Sequence, residues 1–282
     1  MELFRALAAL TEPPRSEHEP IREALQIVEA ADAADHTDLF AFQLVPYAAA
    51  YLNEDGMLGG AVRDRVAGFR AALGYPPVRE PDALPELLLL AAHLADRAAA
   101  EQEPARRVLL DRARVALLWE HLAPWVFAYT ERAAAVGSPF YRSWAELLAA
   151  AIAVALGDDA FVTLSVHLEE LAPLEAPRET GAEEFVTALL APARSGLLLT
   201  RADLRRAAAE QGLGLRQGER RYILRALLGQ DGAGTLTWLE REAQSRAAFY
   251  TTSRAPAPIR EFWEARAART AELLREARAT VV

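Results

Sequence analysis

The five histidines are the residues of this sequence best suited to metal binding or proton transfer. They stand at positions 18, 36, 93, 121 and 167, and none has a glutamate three residues before it. The Glu-x-x-His pattern of di-iron helical bundles and the His-Glu-x-x-His zinc motif are therefore absent. His121 follows Glu120, but adjacent side chains on a helix point about 100° apart and do not converge on one ion. We predict no metal site and interpret His121 as a hydrogen-bonded histidine at a helix end.

Cysteine and lysine do not occur in the 282 residues, so all 31 basic residues are arginines. The missing lysine excludes a P-loop and Schiff-base chemistry, and the missing cysteine excludes thiolate catalysis, disulfides and iron–sulfur ligation. The carboxylate pairs Asp158-Asp159 and Glu169-Glu170 are typical of solvated helix faces or helix starts. We therefore predict no catalytic residue, no cofactor and no enzymatic activity. The hypothesis of a hydrolase or nucleotide-binding enzyme remains possible only if the site binds its ligand through arginines.

Arginines cluster between residues 200 and 229, in a helix, glycine turn and helix layout that is similar to a helix-turn-helix. The alternative function is therefore a DNA-binding regulator that uses this segment. The net charge of −9 argues against nucleic acid as a partner, and so does the charge pairing that is common on solvated helices. Four arginines of the segment are spaced to form a strip suited to an anion or to an interdomain contact: Arg216, Arg220, Arg221 and Arg225.

The elements that must position these residues are helices. Apolar side chains recur at helical spacing in almost every stretch between Pro and Gly, as in Val62, Val66, Phe69 and Leu73, and alternating β-branched runs are missing. The fold class is therefore predicted to be all-α. The predicted helices are 2–10, 19–31, 38–52, 59–73, 84–101, 105–122, 124–135, 139–156, 158–172, 179–190, 200–211, 216–229, 233–248 and 256–279.

A change of composition divides the chain near residues 171–181, a stretch with two prolines and a glycine. Residues 1–175 carry a net charge of −13 and residues 176–282 a net charge of +4. We predict a compact multi-helix domain over 1–175 that folds alone, and a smaller helical, Arg-rich extension over 176–282. The longest apolar runs are too short for a bilayer, so we expect no membrane insertion and a cytoplasmic protein.

Local signals predict how individual helices begin and end. Asp82 precedes an apolar helical run with Pro85 in its first turn, which makes Asp82 an expected N-cap. Thr200 and Asp203 form a capping-box variant at another helix start. Pro124 interrupts an apolar pattern and predicts a break or sharp kink after residues 121–122, with an exposed aromatic corner.

Three motifs follow one another between residues 39 and 156. The first is Leu39-Phe40 with Pro46-Tyr47-Ala-Ala-Ala-Tyr51 and then Gly56-Met-Leu-Gly-Gly60. The second is Glu80-Pro-Asp82-Ala-Leu84 with Glu86-Leu87 and Leu90-Ala-Ala-His-Leu94. The third is His121-Leu-Ala-Pro124-Trp125, followed by Pro139-Phe140-Tyr141. Their order and spacing resemble the TorD/DmsD family of cytoplasmic chaperones for molybdenum redox enzymes, although the resemblance does not reach residues 176–282.

The resemblance implies an all-helical chaperone that binds the twin-arginine signal peptide, or the apo catalytic subunit, of a molybdopterin oxidoreductase and assists cofactor insertion. A signal peptide offers two arginines and an apolar segment, which an acidic domain with aromatic side chains complements. The candidate binding residues are Phe40, Tyr47, Tyr51, Asp82, Leu84, Glu86, His121, Trp125, Phe140 and Tyr141. The sequence departs from the family at Ala83, where the family has histidine, so Asp82 and its neighbours would have to receive the peptide.

Overall fold

The computed structural model describes residues 1–157 and 164–281, and within these ranges the fold is all-α as predicted. The α-helices are α1 Glu2–Ala9, α2 Glu19–Ala24, α3 Ala33–Thr37, α4 Ala49–Leu52, α5 Gly60–Ala72, α6 Leu84–Ala100, α7 Pro104–Ala116, α8 Ala123–Val136, α9 Pro139–Leu156, α10 Val166–Glu169, α11 Pro177–Thr180, α12 Ala182–Leu189, α13 Pro192–Ser195, α14 Arg201–Gln211, α15 Arg220–Gln230, α16 Gly232–Thr252 and α17 Ala257–Val281. In the described part of the chain, no helix has the length and hydropathy that a membrane span requires.

The chain forms two compact units. The first contains residues 1–49, 58–167 and 254–256, and the second contains residues 50–57, 168–253 and the chain from 257 onward. The composition of the sequence predicted a single boundary near 175. Whether residues 1–175 fold alone stays a prediction.

Helix α6 shows how the first unit forms its core. Leucines at 84, 87, 88 and 94 are fully buried, and their i, i+3, i+4 spacing places them on one stripe of the helix. Helices α8 and α9 form a pair joined by two residues, Gly137 and Ser138. Trp144 of α9 is buried, and its indole N–H donates to the Leu7 carbonyl of α1 at 3.0 Å. Apolar spacing that is visible in the sequence thus produces a core between α1, α6, α8 and α9.

The helical residues continue through Pro124 without a gap, so the predicted break is wrong, whereas the predicted sharp kink stays a prediction. Residues Leu117–Leu122 form a π-helical segment between α7 and α8, and Pro124 stands in the first turn of α8. In the first turn of a helix the N–H that proline lacks has no intrahelical partner, so Pro124 is compatible with the start of α8. The expected exposed aromatic corner is absent too, because Trp125 and Phe140 are both buried.

The second unit is built around α16 and α17, which pack along each other after a short connection. Gly196 precedes α14 with φ of +73°, and a Cβ added there would lie 2.4 Å from the backbone nitrogen of Ala267. Only glycine therefore permits this close approach to α17. The Thr200 and Asp203 capping box is confirmed, since the Asp203 N–H donates to the Thr200 hydroxyl and the Thr200 N–H donates to the Asp203 carboxylate.

Other boundaries differ from the predicted ones. The predicted helix 19–31 ends at Ala24, and the predicted helix 38–52 is divided into the π-helical segment Asp38–Gln43 and α4. Helix 179–190 is divided between α11 and α12 at Gly181, which has φ of +87°. Of the predicted helix 158–172, the residues up to 163 and the pair Asp158-Asp159 lie outside the described residues. Its described part contains only α10.

Candidate functional site

A groove of about 620 Å³ opens on the first unit, beside the N-terminus of α6. It is lined by residues from four segments of the chain, 11–13, 36–41, 46–47 and 78–86. Its size falls within the range of about 300–1,000 Å³ that is typical of ligand pockets. We call it the α6 groove.

Backbone hydrogen bonds join two of the sequence motifs at the wall of the α6 groove. The Leu84 N–H donates to the Pro46 carbonyl at 2.8 Å, and the Ala48 N–H donates to the Asp82 carbonyl at 3.0 Å. Between them Tyr47 and Ala83 form an isolated antiparallel bridge. The Pro-Tyr motif and the Glu-Pro-Asp motif, which are more than 30 residues apart in the sequence, thus form one local structure.

Asp82 fixes this structure rather than its own helix, which corrects the predicted N-cap. Helix α6 has Ala83 at its N-cap position, with no side-chain cap. The Asp82 carboxylate instead accepts from the backbone N–H of Ala49, the first residue of α4, at 3.1 Å. Its exposed fraction is only 3%, and burial raises the pKa of this carboxyl above its usual value. Asp82 therefore lies behind the wall of the groove.

Three glutamates supply the charge of the α6 groove: Glu12, Glu80 and Glu86. Glu86 is paired with the buried Arg70 at 3.6 Å, and Glu12 with Arg15 at 3.7 Å. All three side chains remain 37% to 54% exposed. A single arginine, Arg79, also lines the groove and is almost fully exposed. The lining is therefore net acidic, and its carboxylates are accessible to a cationic ligand.

Tyr47 holds Glu80 in place. Its hydroxyl donates to a carboxylate oxygen of Glu80 at 2.8 Å. Burial, with the hydrogen bond to Glu80 as the second cause, raises the pKa of Tyr47 to about 12. The phenol is therefore neutral at physiological pH and remains a donor, which orients one carboxylate oxygen of Glu80, while the other oxygen lies 3.9 Å from the exposed guanidinium of Arg79.

The apolar part of the groove is formed by Phe40 together with Pro46, Ala83 and Pro85. Phe40 is held from behind by edge-to-face contacts to Tyr141 at 5.2 Å and Trp144 at 5.7 Å between ring centroids. Ala83 contributes its methyl group to this wall. A methyl group at this position leaves the wall of the groove apolar.

Most of the remaining candidates of the second and third motifs lie in the core. Leu84, Trp125, Phe140 and Tyr141 are buried, and the Trp125 indole donates to the His121 carbonyl at 2.9 Å. Tyr51 is buried within the second unit, where Arg220 is a charged neighbour. Phe40, Tyr47 and Glu86 are thus the only three candidate side chains that line the α6 groove.

His121 lies in the last turn of the π-helical segment, which agrees with the predicted hydrogen-bonded histidine at a helix end, and it belongs to a buried chain of polar groups. Its Nδ1 lies 3.2 Å from Nε2 of His167, and Nδ1 of His167 lies 3.4 Å from a guanidinium nitrogen of Arg65. Because Arg65 can only donate, His167 carries its proton on Nε2 and donates it to His121. Burial lowers the pKa of His121 to about 3 and that of His167 to about 4. In the described ranges no group of three or more metal-ligating side chains is present.

The four candidate arginines of the second unit do not form the predicted strip. Helix α15 begins at Arg220, so Arg216 precedes it and helical spacing does not relate the two. Arg220 is turned inward and donates to the Leu199 carbonyl at 2.8 Å. Arg225 forms an ion pair with Glu183, and Arg221 lies 3.5 Å from Glu219.

Sequence reasoning did not identify Glu12, Glu80 or Arg79 as groove residues. Glu80 stands in the second motif, so its position in the sequence could have identified it as a candidate. Glu12 had no signal, because its place in the groove depends on how the chain after α1 folds against α6.

Residues 8–131 of the chain match the family model described as nitrate reductase delta subunit. All four segments that line the α6 groove lie within this range. No curated protein and no solved structure matches the chain.

Proposed function

The match over residues 8–131 confirms the resemblance to the TorD/DmsD family, and on this premise we propose that the protein binds the twin-arginine leader of a molybdopterin oxidoreductase in the α6 groove. The family is one of chaperones and supports a general role in molybdoenzyme maturation. The leader, the groove as its site and a place in the cytoplasm before export are parts of the proposal.

The observation that carries the proposal is the composition of the groove. A twin-arginine leader presents two guanidinium groups and an apolar segment, and the groove offers exposed glutamates next to an apolar wall. Guanidinium and carboxylate groups form paired charge-assisted hydrogen bonds, which fix orientation as well as affinity. Glu80 and Glu86 are the carboxylates placed to receive the arginines. The partly exposed Pro46 and Pro85, backed by the buried Phe40, contact the apolar segment.

Binding in the α6 groove also explains how the protein could hold a client enzyme without catalysing a reaction. Apolar contact and ion pairs bind the leader but change no bond, so the bound enzyme subunit is retained until its cofactor is in place. We propose that release accompanies completion of the client.

No observation favours the DNA-binding alternative at residues 200–229. Arg220 and Arg225 are engaged by Leu199 and Glu183, so two of the four arginines that would contact phosphates already have partners within the unit. We therefore retain the chaperone as the single proposal.

Calorimetry with synthetic peptides of the twin-arginine leaders of the host's molybdopterin oxidoreductases tests the proposal. We expect binding that weakens with salt, and weakens about tenfold or more in Glu80→Gln/Glu86→Gln, because two charge-assisted contacts are lost. Glu17→Gln/Glu29→Gln makes the same change of charge at exposed positions outside the groove and is the matched control. Absence of binding to any twin-arginine leader of the host would overturn the proposal.

A further inference from the structure

The chain itself contains Arg-Arg pairs, at residues 106–107, 205–206 and 220–221. The pair at 205–206 is followed by alanines, which offer no large apolar side chain. The pair at 220–221 is followed by the exposed Tyr222, but Arg220 is turned inward to the Leu199 carbonyl, and Ile223 and Leu224 are buried. Only the pair at 106–107 has both arginines exposed and is followed by two exposed aliphatic residues, so it presents the features of a leader on the surface most completely.

The start of α7 presents this pair. Arg106, Arg107, Val108 and Leu109 are all exposed, and the exposed fractions of Val108 and Leu109 are 48% and 63%. Because successive residues of a helix are 100° apart, four consecutive exposed positions leave no side of the helix covered. The first turns of α7 therefore project from the first unit. We call residues 106–109 the α7 turn.

The side-chain contacts of the α7 turn within its own chain are weak. Arg106 pairs with Glu103 at 2.9 Å, but both side chains are more than half exposed, and exposed pairs of this kind are weak. The turn also lies at a helix N-terminus, where the backbone adds partial positive charge to the two guanidinium groups. The turn is thus both cationic and apolar, and it complements the acidic and apolar parts of the α6 groove.

The α7 turn cannot reach the α6 groove of its own chain. The groove lies at the N-terminus of α6, and the 17 residues of that helix span about 25 Å. Residues 101–103, which connect α6 to α7, extend about 10 Å at most. The start of α7 is therefore held near the opposite end of α6, and only a second molecule can bring the two surfaces together.

We propose that the α7 turn docks in the α6 groove of a second copy of this chain. The inference rests on the proposed function, because it assigns to the groove the same chemistry that a leader would supply. The contact joins two different surfaces, so it is heterologous and adds further copies in a ring or an open row. It also occupies the groove, so self-association and leader binding exclude each other.

The contact is weak by its size. A helix turn of four exposed residues buries far less than the ~1,000 Å² of a stable interface, so association is expected in the ~10–1,000 µM range. A leader that contacts the groove over a longer segment displaces the α7 turn. Grooves without a client would in this way be covered when the chaperone is concentrated.

Sedimentation velocity of the full chain over about 5–500 µM tests the proposal. We expect the average mass to rise with concentration beyond that of a dimer, and to fall when a peptide of residues 103–112 is added. Arg106→Glu/Arg107→Glu should stay monomeric throughout. Arg112→Glu/Arg205→Glu makes the same change of charge at exposed positions outside the turn, and it should associate like the parent.

Mixing two defective variants tests the heterologous geometry. Arg106→Glu/Arg107→Glu retains the groove, whereas Glu12→Gln/Glu80→Gln retains the turn. Each alone should be monomeric, and their mixture should form a heterodimer and nothing larger. A mixture that stays monomeric, while the parent associates, would overturn the proposal.

Two further outcomes separate this inference from the proposed function. A parent that binds the leader but stays monomeric to 500 µM overturns the inference and leaves the proposed function intact. Self-association that persists in Arg106→Glu/Arg107→Glu also overturns it, because another surface is then responsible. A chain that neither associates nor binds a leader removes both.

Discussion

At the scale of single residues, the buried histidine pair is the feature with the clearest physical consequence. His167 donates to His121 and accepts from Arg65, so both imidazoles are neutral in the folded protein. Phe69 covers His121 with an edge-to-face contact at 5.0 Å. A proton on either ring would place a positive charge near Arg65 at a buried position, where solvation of that charge is poor.

The histidine pair predicts a loss of stability in mild acid. The folded-state pKa values are lowered to about 4 for His167 and about 3 for His121, while in the unfolded chain they are near 6.5. The unfolded state therefore binds more protons below about pH 6.5, and the free energy of unfolding falls by about 1.4 kcal/mol per pH unit for each histidine. The stability that the neutral histidine pair contributes to the folded state is fully present above pH 6.5 and is lost as the pH decreases toward 4.

Urea unfolding between pH 4.5 and 7.5 measures this loss. In His167→Gln the amide can still donate to His121 and accept from Arg65, but it does not titrate, so the slope of stability against pH should be shallower than in the parent. His93→Gln, at an exposed position, is the control and should keep the parental slope. Equal slopes in the parent and in His167→Gln would contradict the prediction.

At the scale of elements, two chain segments are joined by one carboxylate. Asp82, just before α6, accepts from the N–H of Ala49 at the start of α4, and both residues are buried. The carboxylate thus caps a helix that is 33 residues away in the sequence, and it holds Tyr47 and Glu80 beside each other at the groove. Groove geometry therefore depends on a buried side chain that need not contact the ligand.

Substitution of Asp82 tests this role. Asp82→Ala leaves the buried N–H of Ala49 without its acceptor, so the free energy of unfolding should decrease by about 1–3 kcal/mol. Asp82→Asn retains an acceptor oxygen and should cost less. Thermal unfolding and leader calorimetry on both variants provide the measurement. If Asp82→Asn weakened leader binding with no change of stability, Asp82 would contact the leader directly.

At the scale of the whole molecule, the two units are not consecutive in the sequence. Residues 50–57 belong to the second unit, where Tyr51 and Leu52 are buried and the Cβ position of Gly56 lies 3.4 Å from the Ala191 backbone. A cut near residue 175 therefore removes the residues that cover this segment. The linear division of the sequence at 175 differs in this respect from the division in space.

Truncation is expected to show the difference. The fragment 1–175 should unfold at a lower temperature than the full chain, because Tyr51 and Leu52 lose their cover, and a buried side chain of this size contributes about 1.5–3 kcal/mol. Calorimetry of the fragment, with co-expressed 176–282 as the comparison, measures the effect. A fragment that melts cooperatively at the temperature of the full chain would show that the first unit needs nothing from residue 176 onward.

The sequence alone determined the fold class, most long helices and the family resemblance. Helical spacing of apolar residues depends only on neighbours within two turns, so α5, α6 and α9 could be predicted to within one residue. The Thr200–Asp203 cap is equally local, since both partners lie within one turn. Motif order identified the family without any knowledge of three-dimensional contacts.

Only the tertiary structure decided which candidates share a site. Phe40, Tyr47 and Glu86 meet at the α6 groove, while Trp125, also singled out by the motifs, lies in the core. Burial and convergence depend on how distant helices pack, and residue type cannot distinguish a core aromatic from a ligand contact. The cap by Asp82, the histidine pair and the two units were hidden for the same reason: each joins residues that are far apart in the chain.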